Sequence, residues 1–277
     1  MKILIVGLGV IGGSYAMALK EAGYEEVYGI DNNLDTLKKA EKLNIIKKGY
    51  LNPKEILKEI DLIIISLYPR LVKNFVLENK EYLKDGAIIT DATGIKEHFI
   101  DDILNILPKG VDFIFGHPMA GREKKGIDFA SKEVFKGANY LITVTSYNKE
   151  ENIKLIEDLA LNLGFKKVRR ISPDYHDKMI SFTSQLPHAI AVALINSDEE
   201  GRDTGSFIGD SYRDLTRIAN INEDLWSELF LGNKENLLES IESFLVEINN
   251  IKNCLVDEDQ EKLKQLFVKS TKRRELL

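Results

Sequence analysis

The constraint that narrows the fold most is the opening stretch KILIVGLGVIGGS, in which a β-branched apolar run passes directly into Gly7, Gly9 and Gly12. Such a run reads as a strand buried on both faces, and G-x-G-x-x-G after it reads as a turn into a helix. The first glycine permits the tight turn, the second lets a pyrophosphate approach the backbone, and the third lets the helix pack on the strand. The helix N-terminus then holds the anion. Tyr15, Ala18, Leu19 and Ala22 recur at helical spacing, and Gly23 stands where a helix C-terminus wants it. A second strand, EVYGID, ends in Asp31 about twenty residues past the glycines, the position from which a carboxylate reaches ribose hydroxyls. Asn32 and Asn33 follow where an arginine would hold the extra phosphate of NADP, so the expected cofactor is NAD. Gly7, Gly9, Val10, Ile11, Gly12, Asp31 and Ser66, the last at the end of DLIIIS, form the expected cofactor set.

The alternation continues through a helix opened by Pro69, the strand GAIITD, the strands VDFIFG and NYLITV, and the helix EENIKLIEDLALN closed at Gly164. The expectation is an α/β chain with an N-terminal doubly wound, Rossmann-type domain over residues 1–170. Past FKKVRRIS the alternation stops, and Ser172 with Pro173 starts a run of helices, an all-α domain over 171–277. Its segment AIAVALI is apolar nearly all round, as a helix covered by a second subunit would be.

Charge and composition exclude other classes. A net charge of −6 argues against a nucleic-acid partner, and Lys166, Lys167, Arg169 and Arg170 read as a solvated face. The single cysteine, Cys254, fits a reducing compartment, and no His/Glu spacing matches a metal helix. The N-terminal run has the outline of a secretory signal, but the regular glycines are explained only by the cofactor loop, and no other apolar run approaches membrane-spanning length. A cytoplasmic protein without a membrane partner is expected.

The candidate chemistry centres on DFIFGHPMAG, where His117 lies between Gly116 and Pro118 after an apolar run. That neighbourhood suggests a shaped loop at a strand end, the edge on which open α/β folds place ligands. In the second half, His176 and Trp226 read as ordinary packing residues. Asp214 and Arg217 fit an i,i+3 helix pair, and the proline before His188 reads as the start of a helix that would aim this histidine at a cleft.

Taken together, GLGVIGGS, GHPMAG, SQLPH and RDLTRIA followed by LW resemble the prephenate and arogenate dehydrogenase family of tyrosine biosynthesis over nearly the whole chain. The resemblance implies a small-molecule substrate, oxidised and decarboxylated as hydride passes to NAD, and a homodimer made by the helical domain. It implies that His117 is the catalytic base, that Arg217 grips the ring carboxylate, and that Ser184, Gln185, His188 and Trp226 line the substrate pocket. Two departures stand out. Many relatives read D-x-G-S-x-K where this chain reads DATGIK, so Gly94 replaces a serine and leaves Thr93 or a water to take its place; Gln185 replaces a histidine. No regulatory domain is expected after Leu277. Two other readings remain open: a hydroxyacid dehydrogenase with the same two-domain plan, and an NAD-sensing binding protein. The first leaves GHPMAG without a task, and the second fits poorly with His117 and Arg217 both present.

Overall fold

The computed structural model describes residues 1–121 and 124–276. Eight strands form one sheet in the order β3-β2-β1-β4-β5-β6-β7-β8. The first six are β1 (Ile3–Val6), β2 (Val27–Ile30), β3 (Lys48–Tyr50), β4 (Leu62–Ile65), β5 (Ile88–Asp91) and β6 (Asp112–Pro118), paired in parallel throughout. This 3-2-1-4-5-6 order is that of the dinucleotide-binding fold, whose crevice opens at the carboxyl ends of the strands. All four residues of β1 and of β4 are buried, as continuous apolar runs in a two-sided sheet demand.

The helices cover both faces. One core gathers Ile3, Ile5, Ile64 and Ile142 against α1 (Val10–Glu21) and α5 (Glu150–Asn162). The other gathers Leu4, Val6, Ile63 and Ile65 against α3 (Pro69–Asn79) and α4 (Glu97–Leu104). A short helix, α2 (Leu34–Lys42), is capped by Asn33, whose side chain accepts from the backbone of Asp35 and Thr36.

Two features depart from the sequence reading. The strand β7 (Asn139–Thr143) runs antiparallel to β6, so the sheet is mixed rather than wholly parallel. An eighth strand, β8 (Lys167–Ile171), pairs in parallel with β7 inside the segment read as a solvated basic face. The solvated reading holds in part: β8 is an edge strand with exposed basic residues, and its Arg170 guanidinium reaches out to Glu150 and Glu157 of α5.

From Pro173 onward the described chain is helical or turn: α6 (Pro173–Ile180), α7 (Leu186–Asn196), α8 (Asp210–Thr216), α9 (Glu223–Gly232), α10 (Lys234–Val256) and α11 (Gln260–Arg274). Ser172 caps α6, accepting from Tyr175 N–H, with Pro173 in the first turn. The expected helix start at Pro187 is absent. Residues 181–185 form a π-turn that joins α6 to α7 without a break, with Leu186 N–H bonding back to the Ser181 carbonyl. Proline cannot donate and crowds the carbonyl four residues earlier, and widening the helix just before it relieves both. His188 therefore sits inside a continuous helix. Among the described residues no helix is long and apolar enough to cross a membrane.

The halves meet along α3, α9 and the β5–α4 loop. Glu228 accepts from Arg70 N–H and pairs with its guanidinium at 2.9 Å, while the Asn222 amide donates to the Tyr68 hydroxyl at 2.8 Å. Asp177 of α6 accepts from the backbone N–H groups of Lys96 and Glu97, and so caps α4 from the other domain.

Candidate active site

Gly7, Asp31, Ser66, Asp91 and His117 all lie at the carboxyl ends of parallel strands, on one edge of the sheet. Gly7 has φ +86°, and a Cβ there would meet the Ser66 carbonyl oxygen at 2.7 Å. A Cβ on Gly12 would fall 1.8 Å from the Gly7 carbonyl oxygen, because α1 is pressed onto the turn. A Cβ on Gly9, in contrast, would meet nothing within 4 Å, which leaves its backbone open to a ligand. These contacts fit the three separate tasks expected of a phosphate-binding glycine loop.

Asp31 holds the loop from β2: one carboxylate oxygen accepts from Leu8 N–H at 2.9 Å and the other from Asn33 N–H. The Ser66 hydroxyl is buried with no hydrogen-bond partner among the described residues, at the end of β4 beside the glycine turn. An orphaned hydroxyl at that place fits a polar ligand lying across the edge. Val10 and Ile11 open α1, where the first backbone N–H groups have no intrahelical partner.

His117 lies within β6, not on a loop, opposite Leu141 of β7. Gly116 before it is required by packing: a Cβ would sit 2.1 Å from the Tyr140 hydroxyl and 2.9 Å from the Asp91 carbonyl oxygen. Burial pushes the Tyr140 phenol up to about 12, so it stays protonated behind the site. His117 is partly buried, and Nδ1 of its ring lies 2.8 Å from Nε2 of His176 in α6. Nδ1 of His176 in turn lies 2.6 Å from a carboxylate oxygen of Asp177. His176 is fully buried, as a packing residue would be, and it also belongs to this row of rings. Desolvation, then the neighbouring His176 and Lys96, hold the His117 imidazole well below its ordinary pKa. His176 is lowered mainly by burial, against the opposing pull of Asp177.

Beneath the histidines is a buried ion pair. Lys96 Nζ lies 2.6 Å from Asp91, and both side chains are wholly inaccessible. Asp91 also accepts from Gly116 N–H, Thr93 N–H and the Thr93 hydroxyl. Thr93 is thereby committed and does not take the serine's place. Gly94 faces the site, and a Cβ there would lie 3.7 Å from His117 Nε2 and 3.3 Å from a Leu229 methyl.

Across the domain boundary, Nδ1 of His188 donates to the Ser184 carbonyl over 2.8 Å, and the ring stacks on Trp226 with centroids 3.6 Å apart. A backbone carbonyl only accepts, so Nδ1 of His188 carries the proton. Trp226 is a partner of His188 and not a detached core anchor. Arg217 is exposed at the start of a 3-10 turn that packs on α7. Gln185 is placed behind the wall, 1% exposed, with its amide donating to the Leu229 carbonyl and accepting from Asn233. Both ends of that amide are occupied within the helical domain, so the geometry gives Gln185 a wall-building task instead of the expected substrate contact.

Comparison with known proteins agrees with this architecture. Residues 15–169 match the model of the prephenate dehydrogenase nucleotide-binding domain, and residues 172–269 match that of the prephenate dehydrogenase dimerization domain. A prephenate dehydrogenase of Lactococcus lactis subsp. cremoris is 32% identical over all of this chain and 77% of its own length. A cyclohexadienyl dehydrogenase of Zymomonas mobilis is 26% identical, covering 98% of this chain and 94% of its own. A crystal structure of the Aquifex aeolicus prephenate dehydrogenase in complex with hydroxyphenyl propionate and NAD+ superposes with a TM-score of 0.90 at 31% identity, covering 100% of this chain and 98% of that one. With matches to both domains that together span most of its length, the chain belongs to the prephenate dehydrogenase family.

Proposed function

We propose that this protein catalyses the NAD-dependent oxidative decarboxylation of prephenate to 4-hydroxyphenylpyruvate, with His117 as the base. The observation that carries the proposal is His117 itself, an imidazole held neutral at the ligand edge of a dinucleotide fold and faced by a second domain. The open backbone at Gly9, the Asp31 carboxylate and the unpartnered Ser66 hydroxyl would hold NAD, which would supply the acceptor for the hydride of the hydroxyl-bearing ring carbon.

His117 accepts the hydroxyl proton as the carbon–hydrogen bond breaks, so charge does not build on the oxygen. The ring carboxylate leaves as carbon dioxide, its bonding pair flows through the ring to the oxygen, which takes the proton back from His117, and the ring becomes aromatic, which makes the step effectively irreversible. Arg217 holds that carboxylate with its planar fork, and the stacked His188 and Trp226, with Ser184, form the wall on the side-chain end of the substrate. Purified protein with NAD and prephenate should give reduced cofactor, followed by its absorbance, beside parallel reactions with NADP and with arogenate. Turnover with arogenate alone would transfer the proposal to the amino substrate; no turnover in any reaction would end it.

Replacement of Arg217 by alanine should raise KM about tenfold to a hundredfold, the equivalent of the ~1.5–3 kcal/mol typical of hydrogen bonds to a charged group. The effect should fall mostly on KM, because the contact exists before the transition state. An unchanged KM in steady-state kinetics returns Arg217 to the helix surface.

A homodimer in the cytoplasm is part of the same proposal. The helix α7 is apolar nearly all round, yet only Leu186 and Ala191 in it are buried by the rest of the chain. On α10, Leu245, Val246, Leu255 and Val256 are exposed, and on α11 Phe267 and Val268. Apolar helix faces of this extent need a cover. Sedimentation should give twice the chain mass at micromolar concentration; a monomer there would remove the dimer from the proposal.

A further inference from the structure

Resting on the reading of His117 as the base, we propose that His176 and Asp177 are positioning residues which fix the tautomer of His117 from the other domain. The argument follows the protons outward from Asp177. Its carboxylate accepts from Lys96 N–H at 2.9 Å and Glu97 N–H at 2.8 Å, an arrangement of donors that suits a group which only accepts. The third contact, 2.6 Å to Nδ1 of His176, then needs a proton on that nitrogen. A neutral imidazole carries one proton, and desolvation keeps His176 neutral. Its Nε2 therefore presents a lone pair, which lies 2.8 Å from Nδ1 of His117 and accepts the proton there. His117 is neutral too, so its own Nε2 is left as the bare lone pair, on the side where a Cβ at Gly94 would lie 3.7 Å away.

The row Asp177, His176, His117 thus determines which nitrogen takes the substrate's proton, and the choice is made 59 and 60 residues away in sequence, in a different domain. Without it the two tautomers of His117 would compete, and the one with a proton on Nε2 cannot act as a base. The charged and titratable groups facing this row are few. Lys96 approaches from the β5–α4 loop and disfavours a second proton on either ring, and Asp91 at the end of β5 holds Lys96 in place. Asp177 is itself fixed through its backbone, whose carbonyl accepts from the Asn233 amide at 2.8 Å. The neighbouring-residue order His176-Asp177 looks unremarkable in the sequence because its target is remote.

Two substitutions separate positioning from packing. Asparagine at 176 places its amide near the former Nδ1 and offers nothing to His117; glutamine reaches further and sets an accepting oxygen near the former Nε2. His176→Asn should lower kcat by about a hundredfold with KM within about threefold. His176→Gln should recover at least about tenfold of that loss, and its kcat–pH profile should keep the acid limb of the unaltered enzyme. Independently of turnover, nitrogen-15 spectra of the imidazoles in the NAD-bound protein should show His117 protonated at Nδ1 and bare at Nε2, with assignments made by loss of signals in the variants. The chain has only 4 histidines, so the assignment is tractable. A proton on Nε2 of His117, equal losses in the two variants, or a raised KM with unchanged kcat would each overturn the proposal. Because the spectra need no substrate, an enzyme inactive on both prephenate and arogenate would end the functional reading while leaving the tautomer result intact.

Discussion

His117→Asn should lower kcat by two orders of magnitude or more while KM changes by less than about threefold. A positioned general base contributes roughly 10²–10⁴-fold, and asparagine keeps the shape and a hydrogen bond but cannot take a proton. Loss confined to kcat is the signature of an interaction made in the transition state and not in the ground state. The pH dependence sharpens the expectation. On the proposed mechanism the active form of His117 is neutral, and burial together with His176 and Lys96 sets its pKa well below the ordinary imidazole value of 6.5. The kcat/KM of the unaltered enzyme should therefore hold level from neutral pH down past 6.5 and fall only further into acid, as His117 gains its proton. In the asparagine variant that limb should vanish. Near-normal turnover of the variant, or an acid limb that survives the substitution, would remove His117 from the chemistry.

The second large effect concerns stability. Asp91→Ala should destabilise the protein by about 3–5 kcal/mol, as breaking one side of a buried ion pair does. Lys96 would be left as a fully inaccessible ammonium whose remaining hydrogen bonds among the described residues go to the Thr93 hydroxyl and carbonyl, with the Phe99 ring 5.4 Å away. The backbone N–H groups of Gly116 and Thr93 would lose their acceptor as well. Removing the charge along with its partner should restore much of the loss, so Asp91→Ala combined with Lys96→Met should be more stable than Asp91→Ala alone. Urea unfolding of the three proteins measures both effects. A single variant within about 1 kcal/mol of the unaltered chain, or a double variant that is worse still, would mean that water reaches Lys96.

What could be read beforehand follows from where the determining contacts lie. The turn from β1 into α1 and the arrival of Asp31 are local: Gly12 packs on Gly7 and Ile5, Gly9 meets open space, and Gly7, although it also closes on the Ser66 carbonyl after β4, is demanded by its own positive φ, so their spacing in sequence carries their meaning. The cap at Ser172 is local in the same way. The direction of β7 is not, because nothing within NYLITV records whether it will meet β6 head to tail; that depends on the path of the twenty residues joining them. The edge strand β8 lacks the apolar signature that marks the inner strands, because Lys167, Arg169 and Arg170 face water. Pro187 pointed to a helix start, as proline usually does, but the π-turn before it allows the helix to continue. His176 is the most instructive case. A lone histidine in a helix gives no sign of function, and only the folded chain brings it within 2.8 Å of His117. A useful signal was present in the aspartate directly after it, though its value depended on knowing that α6 would face β6.

The division of this row of residues between domains also bears on how the enzyme comes into being. Synthesis proceeds from the N-terminus, and domains tend to fold in that order. The sheet is complete once Ile171 has emerged, whereas His176 and Asp177 stand in the first helix after it and the pocket wall around Trp226 comes later still. On the proposed mechanism, that order of synthesis lets the glycine loop form before the row that orients His117 is complete, so the site for the cofactor would precede the site for the substrate.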